Sequence, residues 1–248
     1  MNETIAQLKR RKSVRIFEDR LLPIEIKDAI LDSAFQAPTA GAMMLYSIID
    51  ITDQNLKDRL SVTCDNQPFI AEAPLVLIFL ADYQRWYDTF IYSGCEARKP
   101  SEGDLLLACA DAVIAAQNSV VAAESMGVGS CYIGDILENQ ETVSKLLNLP
   151  DYVVPAAMLV YGYPVKSQLA RKKPARFDKE YIVHENSYRK FTPQEHIEMH
   201  SRWNKKAGTH VKDSVESIRA FCARKYMSDF SLEMNRSAKK YMEKFTND

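Results

Sequence analysis

A chain of 248 residues is long enough for one large domain or a domain with an appendage, and 46% hydrophobic with 26% charged residues allows a sizeable core. The net charge of −1 gives no electrostatic reason for nucleic acid or an anionic membrane as a partner. Cys64, Cys95, Cys109, Cys131 and Cys222 are odd in number, irregularly spaced and without a CxxC pair. That argues against a disulfide framework or structural zinc and fits reduced thiols in a cytoplasmic protein.

The opening MNETIAQLKRRKSVRIF has no apolar core, so no secretory signal is expected. A helix is predicted over residues 3–10. A second runs from about Pro23 to Gln36, with Pro23 in its first turn and Ile26, Ala29, Ile30, Ser33 and Ala34 as its stripe. Pro38-Thr39-Ala40-Gly41 breaks it. Strands are predicted at 46–51 and 75–81, the latter an unbroken apolar run expected to be covered on both faces. Residues 83–104, with their aromatics and glycines, read as an insertion or lid. Asp104 is the expected N-cap of an alanine-rich helix to about Met126. Asp111, Gln117 and Asn118 interrupt its apolar run, and the aspartate alone would cost a membrane span a few kcal/mol, so a central or interface-buried helix is expected. Strands at 130–133 and 156–161 flank a short helix at 142–147. From Thr192 the character changes to polar amphipathic helices at 195–206, 211–226 and 232–245, turning at Ala207-Gly208. The whole reads as an α+β or mixed three-layer domain, residues 1–191, followed by a helical C-terminal extension, residues 192–248.

Four stretches are candidates for chemistry. Arg10-Arg11-Lys12-Ser13-Val14-Arg15 places four cations and a hydroxyl within six residues, which suits a phosphate and an electron-rich ring; the plain alternative is a solvated basic helix end. Ala37-Pro38-Thr39-Ala40-Gly41 is a small-residue turn that lets a planar ligand approach the backbone, or simply a helix stop. Gly127–Asp135 resembles a dinucleotide glycine loop only superficially. Tyr132 stands where the third glycine belongs, and the loop precedes a strand, the reverse of the Rossmann order. Its useful part is the strand's far end at Ile133-Gly134, where backbone N–H groups can meet a ligand. Arg171–Phe177, on a proline-stiffened loop, is a second possible phosphate clasp or a surface loop.

Taken together, RRKSVRIF, APTAG, NQPFIAEAP, AAESMGVGSCYIG, GYP, KKPARF and VHENSY resemble, in order and spacing, the nitroreductase family over residues 3–191. The resemblance implies an α+β fold, a three-layer α-β-α arrangement with a mixed, mostly antiparallel sheet, and a homodimer with shared active sites. It implies FMN as cofactor, NAD(P)H as electron donor, and a nitroaromatic, quinone or flavin as acceptor, in a ping-pong cycle. By position Arg11, Lys12 and Ser13 would meet the phosphate end and Arg15 the flavin N1/O2 edge. Pro38, Thr39, Ala40, Gly41 and Met44 would line the ring from the partner subunit. Ile133 and the backbone at Gly134 or Asp135 would face N5, and Lys173 and Arg176 would form the later phosphate clasp. No side-chain general base is implied.

Ala42 and Met44 stand where the family commonly has Asn and Gln, which leaves open a flavin-dependent dehalogenase, a flavin-consuming relative or a non-catalytic flavin-binding module. Trp86, Tyr87, Phe90 and Tyr92 are expected either to cover the flavin or to pack the core. His184, His196, His200 and His210 form no convincing metal set; the helical pair His196/His200 reads as solvated. From Arg202 onward eleven Lys/Arg stand against six Asp/Glu, read as a solvated face.

Overall fold

The structure is a computed structural model that describes residues 2–209 and 211–246; His210 lies outside them. The chain folds into two compact units, one of residues 1–171 with 233–248 and one of Lys172–Leu232. The first unit opens with α1 (Glu3–Arg10), capped by the Asn2 side chain, which accepts from Ile5 N at 3.0 Å. There follow α2 (Ile24–Phe35), β1 (Tyr46–Asp50), α3 (Gln54–Thr63), α4 (Phe69–Glu72), β2 (Leu75–Asp82) and α5 (Gln84–Tyr92). Then come α6 (Glu102–Ser125), β3 (Gly129–Ile133), α7 (Gln140–Leu147), β4 (Val153–Gly162) and α8 (Lys166–Ala170).

The four strands lie in the order β1-β2-β4-β3, every pair antiparallel. Among the described residues the parallel component is a single bridge, Ser13 to Ser130, by which the segment after α1 joins the sheet's edge. β2 is buried along its whole length, as its unbroken apolar run predicts. Its side chains alternate between two cores. Leu75, Leu77 and Phe79 face Ile30 and Ala34 of α2 and Ala112, Ala116 and Val120 of α6. Val76, Ile78 and Leu80 face Leu60 and Cys64 at α3, Ile70 of α4 and Val143 of α7. The period-two geometry of a strand thus makes three layers, helices on both faces of the sheet.

The start of α6 corrects one expectation. Its N-cap is Ser101, and Asp104 is the third helical residue of a capping box, accepting from Ser101 N at 2.8 Å and from Arg98 Nη2 at 3.0 Å. α6 is long and apolar enough to cross a membrane, but one face of it packs on the sheet. On the other, Leu106, Leu107, Val113 and Ile114 stand exposed.

Neither α3 nor α4 is among the elements expected from the sequence, although α4 lies within the NQPFIAEAP motif. α3 buries Lys57, Leu60 and Ser61, so its inward stripe is too polar to stand out, although Asp53 caps it by accepting from Leu56 N at 2.6 Å.

The second unit holds α9 (Pro193–Ala207), opened by a Thr192/Glu195 capping box, and α10 (Ser214–Phe221), which runs on through a π turn, Cys222–Tyr226. Trp203 centres its core, with ring centroids of Phe177, His200 and Phe221 at 5.8, 5.5 and 5.9 Å. His200 is therefore buried, not solvated as expected, and burial lowers its pKa. Arg202 pairs with Glu180 and Glu198, and Lys206 with Asp178, so several tail cations already have carboxylate partners within the unit.

α11 (Asp229–Met242) belongs to the first unit from Glu233 onward. There Tyr241 and Phe245 join Leu45, Leu105 and Val154 in a third core, and Arg236 forks onto Glu141 of α7, both bonds at 2.8 Å.

Between β3 and α7 lies Glu138, buried. Burial first, then the charges of Asp135, Asp65 and Glu233, push its carboxyl from 4.5 up to about 7. The native state therefore holds this proton more tightly than the unfolded chain, and stability is lost as pH rises through that window. Glu138→Gln is expected to flatten this loss. The melting-temperature difference between about pH 5 and about pH 8 should shrink in the variant; an unchanged difference would mean another group titrates.

Candidate functional site

The segment after α1 is extended, so neighbouring side chains diverge. Val14 N donates to Ser130 O at 2.9 Å, laying the segment along β3, and Val14 itself is buried. The approach is close because residue 129 is glycine: a Cβ there would come within 2.6 Å of Val14 Cγ2.

Arg11, Ser13 and Arg15 converge on Cys131 of β3. Burial pushes the Cys131 thiol up, while Arg15, the Ser13 hydroxyl and Arg11 pull it back. Next to it, burial pushes the Tyr132 phenol up to about 12, with Arg11 again opposing. Arg11 Nη1 is buried and has no hydrogen-bond partner among the described residues. A buried cationic donor left without an acceptor is costly, and an anionic oxygen is the group that would satisfy it. Arg15 lies over the Phe69 ring at 5.8 Å, and its backbone N–H donates to Gln168 Oε1 at 3.3 Å. Lys12 is engaged elsewhere: its Nζ donates to Leu169 O and Arg171 O, both at 2.5 Å, capping the carbonyl end of α8. The sequence cluster thus divides, with Arg11, Ser13 and Arg15 brought together and Lys12 given to the fold.

The Pro38–Leu45 turn includes a short 3₁₀ stretch, Ala40–Ala42. Gly41 is left-handed at φ 55°, and so are Ala42 at 58° and Met44 at 49°. Glycine takes this region freely, whereas alanine and methionine do so at about 1–2 kcal/mol each. What holds the turn is Asp111 of α6, a buried carboxylate. It accepts from Thr39 Oγ1, from Ala40 N at 3.0 Å and from Leu45 N at 3.1 Å. Thr39 Oγ1 also accepts from Met44 N at 2.7 Å. From α5, Trp86 Nε1 donates to Met43 O at 2.7 Å and Arg85 donates to Met44 O. Trp86 is therefore partly a brace for the turn, its ring tilted against Phe90 at 5.5 Å, while Tyr92 is exposed. Sequence reasoning took Asp111 only as an obstacle to a membrane span; its signal was a lone carboxylate on an otherwise apolar helix.

At the end of β3, Ile133 is buried and a 3₁₀ turn, Gly134–Leu137, begins. A Cβ at Gly134 would meet nothing within 4 Å, so the backbone there borders open space. Lys173 and Arg176 lie in the second unit, where exposed Arg176 donates to Pro174 O at 2.9 Å. All five cysteines are free, and among the described residues no cluster of metal-ligating side chains is present.

A sequence profile described as "Nitroreductase family" matches residues 8–163. Among curated proteins, "FMN reductase (NADPH)" of Bacillus subtilis (strain 168) is 37% identical over 190 residues, 76% of this chain and 75% of that protein. "CR(VI) reductase" of Pseudomonas sp. (strain G-1) is 30% identical over 229 residues, 92% of each chain. Among solved structures, B. megaterium NfrA2 matches with a TM-score of 0.81 at 30% identity over 100% of both chains.

Proposed function

The chain belongs to the nitroreductase family, and from that premise we propose that it is an FMN-dependent oxidoreductase that takes electrons from NAD(P)H and delivers them to a small organic acceptor. The observation that carries this reading is the group formed by Arg11, Ser13 and Arg15 at β3, with one buried guanidinium nitrogen still lacking an acceptor. FMN, when bound, supplies a two-electron carrier that accepts hydride from the nicotinamide and passes it on.

The residues of this chain bind and place it. Arg11 and Ser13 hold the phosphate end; a phosphate-binding role for Lys173 and Arg176 rests on the KKPARF motif alone. Arg15 puts positive charge at the N1/O2 edge, which favours the reduced, anionic ring. Backbone N–H groups at Gly134 or Asp135, with Ile133 behind them, face N5. Pro38, Thr39, Ala40, Gly41 and Met44 line the ring of the partner subunit's cofactor. The homodimer this requires is supported by the exposed Leu106, Leu107, Val113 and Ile114 on α6, an apolar face larger than scattered surface residues would make. Five free thiols suit a reducing compartment such as the cytoplasm. Nitroaromatics, quinones and free flavins are the acceptors to try first, with chromate added because one relative is named for its reduction.

The purified protein is expected to be yellow, to release a pigment with the mass of FMN, and to bleach on addition of NAD(P)H. Double-reciprocal plots at several acceptor concentrations are expected to be parallel, because donor and acceptor use the same face in turn. A colourless preparation whose absorbance ignores added FMN would end the proposal, and intersecting lines would end its kinetic part.

A further inference from the structure

We propose that Asp111 is a positioning residue, one that sets the backbone shape of the Pro38–Leu45 turn and through it the surface the turn presents to a flavin. The inference rests on the reading above that this turn lines the cofactor.

Asp111 is 3% exposed, and its two oxygens accept from a hydroxyl and two backbone N–H groups drawn from both ends of the turn, Thr39 and Ala40 at one end and Leu45 at the other. A carboxylate with acceptors only is suited to such a site: every group pointed at it is a donor. Between these anchor points stand Ala42 and Met44, both in a conformation that their side chains disfavour. Local preference would relax them, so something outside the turn must hold them. The holding groups are Asp111 from α6 and, on the carbonyl side, Arg85 and Trp86 from α5. Thr39 links the two ends, donating to Asp111 while accepting from Met44 N. Asp111 is therefore built into the rigid central helix but acts on a loop, and its consequence is loop shape rather than core packing.

The test compares four variants by FMN titration of the cofactor-free protein, by the visible spectrum of the bound flavin and by melting temperature. Asp111→Asn replaces one acceptor oxygen with a donor that faces other donors. Thr39→Val removes the hydroxyl link, Thr39→Ser restores it, and Ser119→Ala is a control on the same helix. Ser119 is wholly buried and bonds the Tyr161 hydroxyl at 2.7 Å, remote from the turn's hydrogen bonds. Asp111→Asn and Thr39→Val are expected to weaken FMN binding by at least roughly tenfold and to shift the flavin spectrum, the effect expected when buried donors lose their acceptor. Thr39→Ser, which puts the hydroxyl back, should recover most of the affinity that Thr39→Val loses. Ser119→Ala should lower the melting temperature without changing affinity or spectrum. Should Asp111→Asn fail to fold, the contrast between valine and serine at position 39 decides. Wild-type affinity and spectrum in Asp111→Asn, or in Thr39→Val, would overturn the positioning role and leave the flavin reading standing. A wild-type protein that binds no FMN would overturn both.

Discussion

Arg11→Ala is expected to weaken FMN binding by roughly two orders of magnitude, while the melting temperature of the cofactor-free protein does not fall. The size follows from the chemistry: hydrogen bonds to a charged partner contribute about 1.5–3 kcal/mol each, and two from one guanidinium together reach the ~3 kcal/mol that corresponds to a hundredfold. The contrast with stability follows from the geometry. Arg11 Nη1 is buried with no acceptor among the described residues, so the cofactor-free fold gains nothing from it there. Arg10, one residue earlier, is exposed and pairs with Glu3 at 2.5 Å. Arg10→Ala should therefore leave FMN affinity near that of the wild type. Fluorescence titration of the cofactor-free proteins reads both. Undiminished affinity in Arg11→Ala would mean the phosphate is held elsewhere.

Gly129→Ala should damage both the fold and the site. The added Cβ would lie 2.6 Å from Val14 Cγ2 and 2.9 Å from Val14 Cβ, closer than non-bonded carbons approach. Something must shift, and what lies against it is the segment that carries Arg11, Ser13 and Arg15. Overpacking of this kind costs about 1–3 kcal/mol, which for a chain of this size is roughly 2–4 °C of melting temperature per kcal/mol. FMN affinity should fall with it, because the displaced segment holds the cationic group. Val14→Ala removes the nearer methyl, so the double variant should be less destabilised than the two single effects added together. A Gly129→Ala protein with wild-type melting temperature and affinity would show that the segment has slack the structure does not display.

The sheet and the two long helices of one face were legible because their apolar patterns are strong. β2 is an unbroken apolar run, and α6 carries buried alanines at helical spacing. On the other face α7 was expected at 142–147, but α3 and α4 were not. α3 turns Lys57 and Ser61 inward, where Lys57 Nζ reaches Ala73 O at 3.0 Å, and no periodic stripe of hydrophobes announces that arrangement. At α6, Asp104 was read as the cap from its residue type; the reciprocal bonds make Ser101 the cap and Asp104 its partner three residues on.

The candidate site divided in the same way. The basic run Arg10–Arg15 stood out by residue type, and the family resemblance singled out Arg11, Lys12, Ser13 and Arg15 within it. That Lys12 would leave the set followed from the extended backbone, which sends every second side chain the other way. Asp111 was invisible as a site residue because its partners are backbone N–H groups and one threonine more than sixty residues away in sequence. No local motif encodes such a contact. The strain at Ala42 and Met44 was hidden for a similar reason: neither residue type advertises a left-handed backbone, and both adopt it because the surroundings impose it.

The lap of Val14 against Gly129 also bears on solubility. β3 is the outermost strand on its side of the sheet, and a bare strand margin is a template on which another chain can stack. Here the margin is stopped by one backbone bond at Ser130 and by a strip of chain bearing arginines, whose mutual repulsion disfavours a second such strip alongside. Prying that strip away would therefore bare a β edge for self-association, and a variant loosened at Gly129 should be prone to clump before it is wholly unfolded.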